Sequence, residues 1–352
     1  MTTNTIKGRG SSYNTPNRFE KLHLEPLEIE WEDNDEKKLP TQFFKDTTKT
    51  ILAKNDSPDI PFTYGINPYR GCEHGCIYCY ARPSHEYLGF SAGLDFETKI
   101  MVKEDAPVLL EKEFQKKSWQ PQMISLSSNV DCYQPIERKL QITRRLLQVF
   151  LKYRNPVGVI TKNHLITRDV DILQELASLN LVHTIISITS LNDELIRSME
   201  PRTSPPAKRL EAIQLLAEHN IPVGVNVAPI IPGLNDEEIP AILKEASVRG
   251  ATSAGWILVR LPWAVKPLFL DWLQRTMPDR AAKIINRIKD TRDGELSDPN
   301  FGSRMRGEGE IAHTIRQLFK VNCEKYGFNK KTFYVSTEHF VREQHGQLNM
   351  FG

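Results

Sequence analysis

The strongest constraint on how this chain folds is an alternation that begins at Pro61 and runs through six units. Short apolar runs at residues 62–66, 123–127, 157–161, 184–188, 222–228 and 255–259 have the length and β-branched content of buried strands. Amphipathic stretches at 108–115, 142–153, 172–179, 206–219 and 237–249 lie between them. In 206–219, Leu210, Ile213, Leu216 and Ala217 recur at helical spacing, with charges on the opposite side. Such alternation dictates parallel strands joined by right-handed crossovers. Six units fall short of the eight that close a β/α barrel, so the count predicts an α/β fold with a partial (β/α)6 TIM-type barrel.

The flanks read differently. Residues 1–60 form an irregular leader, in which Gly8, Gly10, Asn14, Pro16 and Asn17 break any period and 28–38 is crowded with charge. Tyr13, Phe19, Trp31, Phe43 and Phe44 are spaced through it, so part of it is expected to lie against the body. Beyond Arg260 the alternation stops. The expected division is leader 1–60, barrel 61–262, a mostly helical extension 263–340 and a tail 341–352. The extension opens on an apolar run at 263–273, carries helices at 278–291 and 311–326, and offers a candidate extra strand at 331–336.

A hydrophobic content of 39% and a charged content of 26% are those of an ordinary globular protein, and a net charge of +2 sets up no overall field that selects nucleic acid. The first ten residues lack the apolar core of a signal peptide, and the apolar runs are too short or too broken by Pro and Gly to span a bilayer. A cytoplasmic protein with no membrane partner is expected.

Five cysteines rule out a complete disulfide framework, and in the cytosol clustered thiols more often bind metal. Cys72, Cys76 and Cys79 follow the first predicted strand at C-x-x-x-C-x-x-C spacing. Thiolates are the ordinary ligands of iron–sulfur clusters; three of them hold a 4Fe–4S cubane and leave one iron open to a small molecule bearing an amine and a carboxylate. The competing reading is zinc on Cys72, His74, Cys76 and Cys79, packed more closely than the familiar structural spacings. The position favours the cluster, because β/α barrels gather their active sites at the carboxyl ends of strands.

The run Asn67-Pro68-Tyr69-Arg70-Gly71-Cys72, continuing through His74, Cys76, Tyr78, Cys79, Tyr80, Ala81 and Arg82, resembles the radical S-adenosylmethionine (SAM) superfamily. Within it, the run is similar to the bacterial group related to spore photoproduct lyase, over roughly residues 61–262. The resemblance implies a 4Fe–4S cluster and S-adenosyl-L-methionine as cofactors. It also implies a 5′-deoxyadenosyl radical that abstracts hydrogen, a nucleic acid substrate in repair or modification, and a flavodoxin- or ferredoxin-type electron donor. Carried over residue by residue, it places Tyr78 near the adenine. Ser128, Asn129 and Asp131 fall at the cofactor amine, and Lys162 at its carboxylate. Ser187, Thr189 and Asn226 fall at the ribose hydroxyls, and Ile231 in the loop over the adenine. The group's cysteine hydrogen-atom donor falls at Asn129 here, while Cys132 is either a displaced donor or a small buried hydrophobe. Arg202 reads either as a grip on a phosphate or acidic group, or as half of a structural ion pair.

Two features bear on nucleic acid. The helix at 278–291 has a face of Arg280, Lys283 and Arg287, followed by Arg292, Arg304 and Arg306, which suits phosphates or a solvated surface beside Asp279, Asp290 and Asp293. The tail residues Gln347, Leu348, Asn349, Met350 and Phe351 resemble the short peptide that docks bacterial repair proteins on the DNA sliding clamp. The alternative to an enzyme is a non-catalytic iron–sulfur or zinc-binding protein acting on DNA or on that clamp.

Overall fold

The computed structural model describes residues 6–19, 39–331 and 334–342. Trp31, the charged stretch 28–38 and the tail Gln347 to Phe351 lie outside the described residues. The strands are β1 Gln42–Lys45, β2 Leu52–Lys54, β3 Tyr64–Ile66, β4 Tyr69–Arg70, β5 Lys99–Val102, β6 Ile124–Leu126, β7 Val157–Thr161, β8 Val182–Ser187, β9 Val223–Ile230 and β10 Ser253–Leu258.

Among the described residues the larger sheet has the order β10-β9-β8-β7-β6-β3-β2. Every neighbouring pair from β3 to β10 is parallel, and β2 runs antiparallel on the edge of β3. The parallel strands follow sequence order because each pair is joined by a helix: Ala106–Gln115, Ile142–Tyr153, Val170–Ser178, Pro206–Glu218 and Ile239–Val248. Covered strands need apolar side chains, which Val157, Val159, Val182, Ile186, Val223, Val225 and Val227 supply, all at most 2% exposed. The result is a mixed α/β fold on a parallel sheet, compatible with a partial TIM barrel. No helix among the described residues is long and apolar enough to cross a membrane.

The six expected runs all become strands, with shifts at their ends. The leader differs from expectation, since β1 and β2 lie within it. A second sheet, in the order β1-β5-β4, also goes beyond the alternation. Gln42–Lys45 is exposed at all four positions, so no burial period marks it, and its pairing depends on a partner at Lys99–Val102. The expected extra strand is absent at the described residues of 331–336. There Ser336 N donates to Asn180 O at 2.8 Å, and Asn180 Nδ2 donates to Tyr334 O at 2.9 Å, so the chain bonds to a turn instead of a ladder.

The extension contains helices Val265–Thr276, Pro278–Asp290, Ser303–Arg306 and Gly309–Tyr326. Its arginines are largely spent inside the protein, which removes much of the expected phosphate patch. Arg292 is 4% exposed and donates to Ser303 O and Val259 O, each at 2.9 Å. Arg304 pairs with Asp59, and Arg306 donates to Trp256 O while stacking over its ring. Arg280 caps Gly233 O at 2.9 Å, and Arg287 lies 3.8 Å from Asp236.

Candidate cluster and cofactor site

The cysteine loop turns between the two sheets. β3 ends at Ile66 in the large sheet, β4 joins the small one, and the chain then reverses through residues 71–81. Gly71 has φ +78°, and a Cβ there would meet Phe96 O at 2.9 Å, so only glycine suits this approach. Cys72 N donates to that same oxygen at 2.9 Å. Cys72 and Cys76 are buried, Cys79 is half-buried, and all three are free thiols.

One side of the loop is fixed by Arg82, which is fully buried. It donates to Cys76 O at 3.0 Å, Gly75 O at 3.3 Å, Ala92 O at 3.1 Å and Gly93 O at 3.0 Å, and pairs with buried Glu97 at 2.5 Å. Glu97 in turn accepts Gly10 N at 3.1 Å and Ser11 N at 2.9 Å, which lays the leader across the loop.

The opposite side is fixed by the end of helix Asp193–Met199, started by Asn192, whose side chain accepts from Glu194 N and Leu195 N. Residues 199–202 run along the cysteine loop. Ile77 N donates to Met199 O at 3.0 Å, Arg202 N to His74 O at 3.2 Å, and the Tyr78 hydroxyl to Glu200. Arg202 is half of an ion pair with Glu73 at 3.1 Å, the structural one of its two readings. Glu200, only 1% exposed, also accepts Thr189 Oγ1 at 2.5 Å and pairs with buried Arg209. Burial alone pushes the Glu200 carboxyl up, but Arg209, Lys162 and the two hydroxyls together hold it down at about 2. Burial and Glu200 push the Tyr78 phenol up, so it stays a donor.

The structure places the other expected residues as follows. Asp131 Oδ1 accepts Tyr133 N at 2.9 Å and Thr161 Oγ1 at 2.7 Å. Its Oδ2 accepts Lys162 N at 2.8 Å and lies 3.5 Å from His74 Nδ1. Both oxygens of Asp131 are thus engaged by the protein, and the side chain ties its loop to the end of β7. Ser128 Oγ accepts from Asn67 Nδ2 at 2.9 Å, and Asn129 N donates to Asn67 Oδ1 at 2.8 Å. Lys162 leaves β7 with its ammonium 5.9 Å from the Tyr78 ring centre, and makes no salt bridge among the described residues. Thr189 is engaged with Glu200 and Ala228 O. Ser187 and Asn226 are cross-strand partners, and neither side chain has a hydrogen bond among the described residues. Ile231 is fully buried in the apolar cluster that contains Cys76, Ile77, Tyr78 and Met199. Cys132 is fully buried in the main core, its thiol pushed far up by burial first and then by Asp131. A hydrogen-atom donor has to reach its substrate, so this enclosure favours the small-hydrophobe reading.

Sequence reasoning missed Glu200, Arg209, Glu97 and Asn235. Asn235 locks the loop after β9, with Nδ2 donating to Thr189 O at 2.7 Å and Oδ1 accepting Ile231 N at 2.6 Å. The one available signal was polar residues inside apolar periods, such as Arg209 on the buried face of its helix.

The donor set fits an iron–sulfur cluster. Burial pushes all three thiols up, Cys72 further through Asp131, Cys76 and Cys79, and Cys76 further through Glu200. Buried thiols on one short loop give up their protons readily only to a metal that holds the charge. Zinc fits less well, because His74 is occupied elsewhere: Asn163 Nδ2 lies 3.2 Å from its Nε2, and its Nδ1 faces Asp131.

Residues 66–246 match the Radical SAM superfamily. The chain belongs to that superfamily. An uncharacterized protein of Mycobacterium tuberculosis is 31% identical over 274 residues, which cover 75% of this chain and 79% of the relative. An uncharacterized protein of Methanocaldococcus jannaschii is 31% identical over 175 residues, covering 50% of this chain and 63% of the relative. Among solved structures, spore photoproduct lyase complexed with dinucleoside spore photoproduct has a TM-score of 0.57 and 17% identity, over 81% of this chain and 80% of its own. A mutant of that lyase with bound AdoMet and the dinucleoside has a TM-score of 0.55 at 17% identity over the same shares. This second likeness is one of fold. It agrees with the radical SAM assignment and with the parallel sheet that presents the cysteines.

Proposed function

We propose that this radical SAM protein is an enzyme that abstracts hydrogen from a nucleic acid substrate, using a 4Fe–4S cluster on Cys72, Cys76 and Cys79 with S-adenosyl-L-methionine. The observation that carries the reading is the group of three free thiols in a loop beyond the carboxyl end of β3, beside a lysine that has no ion pair among the described residues. When bound, the reduced cluster and its cofactor supply a 5′-deoxyadenosyl radical.

The protein's own groups do the rest. Lys162 offers its charge to the cofactor carboxylate, and Ser187 and Asn226 offer the ribose side-chain groups that have no hydrogen bond among the described residues. Tyr78 and Ile231 form an apolar wall for the adenine. Ser128, Asn129 and Asp131 act one step back, shaping the loop that receives the amine. A flavodoxin- or ferredoxin-type protein supplies the electron. The tail from Gln347 to Phe351 tethers the enzyme to the sliding clamp, and binding of the intact and tail-deleted proteins to the clamp tests that part separately.

The decisive experiment is anaerobic reconstitution of the full chain, reduction, and addition of S-adenosylmethionine. Methionine and 5′-deoxyadenosine are the expected products. An intact, reduced cluster that cleaves none of the cofactor rejects the enzyme in favour of a structural cluster.

A further inference from the structure

The buried carboxylate of Glu200 stands out among the groups that this function does not use. It is held by four side chains: Tyr78, Thr189, Arg209, and Thr203, whose Oγ1 lies 3.3 Å from Oε2. Two of these belong to the site, Tyr78 between two cluster cysteines and Thr189 beyond β8. Arg209, itself anchored by donating to Ser187 O at 3.1 Å and Ser204 O at 2.7 Å, holds the carboxylate through Oε2. The backbone bonds of Met199 and Arg202 to Ile77 and His74 fix this segment along the loop, so the charge cannot swing away. An ionised carboxylate excluded from water acts at a distance that bulk solvent would screen.

We propose that Glu200 is a positioning residue of the radical SAM site: it orients Tyr78, and through that contact it places a fixed negative charge against the cysteine loop between Cys76 and Cys79 that lowers the reduction potential of the cluster. This rests on the reading that Cys72, Cys76 and Cys79 bind the cluster. A nearby negative charge disfavours gain of an electron, and Arg209, which bonds Oε2 while Tyr78 bonds Oε1, opposes it. The two members of the pair therefore act on the potential with opposite signs. A role confined to packing predicts no such reversal.

The test is a redox titration of the cluster, followed by electron paramagnetic resonance, in full-length anaerobically reconstituted protein. Glu200→Gln moves the midpoint to a less negative value, and Arg209→Met moves it to a more negative one. The double variant Glu200→Gln/Arg209→Met replaces the pair by uncharged groups and titrates between the two. It also guards against misfolding of the singles, because neutral replacement of a buried pair is often tolerated. Tyr78→Phe keeps the charge, so it leaves the midpoint close to wild type while changing the resonance signature of the cofactor-bound cluster. Equal midpoints in wild type and Glu200→Gln, with full iron content, overturn this proposal alone, as does a shift of both singles in one direction. A wild-type protein that takes up no cluster overturns it together with the functional reading.

Discussion

Two buried ion pairs flank the cysteine loop, Arg82–Glu97 on the leader side and Arg209–Glu200 on the side of the helix that begins at Asp193. All four side chains are removed from water and both arginines also bond backbone carbonyls, yet the remaining bonds of the two carboxylates differ in kind. Arg82 spends its other four N–H groups on backbone carbonyls, two of them inside the cysteine loop, and Glu97 accepts backbone N–H groups of the leader. Glu200 is bonded to the hydroxyls of Tyr78, Thr189 and Thr203. A buried carboxylate bonded to backbone sets shape, whereas one bonded to site side chains also sets their orientation and field. Burial of charge alone therefore does not mark a functional group; the identity of its partners does.

The largest effect should come from Arg82. Arg82→Met leaves Glu97 buried without its partner, a loss of about 3–5 kcal/mol, and frees the carbonyls of Gly75 and Cys76. Urea unfolding of the apo protein measures the first effect, and iron content after reconstitution the second. Arg82→Lys should not restore loading, since one ammonium cannot reproduce a planar fork of five donors. If Glu200→Gln abolishes iron loading as completely as Arg82→Met, the two pairs are both scaffolds and the contrast fails.

Acid sharpens the contrast next. The Glu200 carboxyl lies at about 2 in the folded chain against an ordinary 4.5, so its stabilisation is complete above 4.5 and is lost as pH falls toward 2. The amount is on the order of 3 kcal/mol. Over that window the wild-type protein should lose this much stability relative to Glu200→Gln, read from urea midpoints at a series of pH values. Parallel curves for the two proteins count against an ionised Glu200.

A smaller effect tests the leader. A Cβ on Gly10 would lie 1.9 Å from Gly75 O, a backbone atom that cannot step aside, whereas Gly8 has nothing within 4 Å and only a positive φ to strain. Gly10→Ala should cost about 1–3 kcal/mol and expose the leader to limited proteolysis. Gly8→Ala should cost about 1 kcal/mol and leave the cleavage pattern unchanged. Equal cleavage of the two variants would mean that the leader does not clasp the loop through Gly10.

The sequence made parts of this legible and hid others for physical reasons. Runs such as Val157–Thr161 announce themselves because strands buried in a parallel sheet are built from Val and Ile, and helix Ile142–Tyr153 because one face must be apolar. The cysteines were legible because cluster ligation fixes their spacing within one short loop. β1 was not, since an exposed edge strand has no burial pattern and its partner β5 lies on a distant segment. Nor were the two ion pairs. Glu97, Glu200 and Arg209 are ordinary charged residues until tertiary packing buries them beside a complement, and no local period encodes that complement. Arg292 and Arg304 misled in the opposite sense, reading as a surface patch while bonding inward.

The smallest expected effect on stability carries a sharp contrast within the site itself. Thr189 and Ser187 lie near the end of β8, and both are buried polar residues in an apolar strand region. Thr189 is bonded to Glu200 and to Ala228 O, so Thr189→Val leaves those acceptors short of a donor and should cost about 1–3 kcal/mol. The Ser187 hydroxyl and its cross-strand partner Asn226 have no hydrogen bond among the described residues. Removing them should therefore cost little: Ser187→Ala and Asn226→Ala should each unfold within about 0.5 kcal/mol of wild type. Their purpose shows only when a ligand supplies the missing partner. Affinity for S-adenosylmethionine, measured on the reconstituted protein by calorimetry, should fall several-fold in both variants. If instead Ser187→Ala destabilises the apo protein as much as Thr189→Val and binds the cofactor normally, Ser187 belongs to the scaffold, and the ribose is held by other groups.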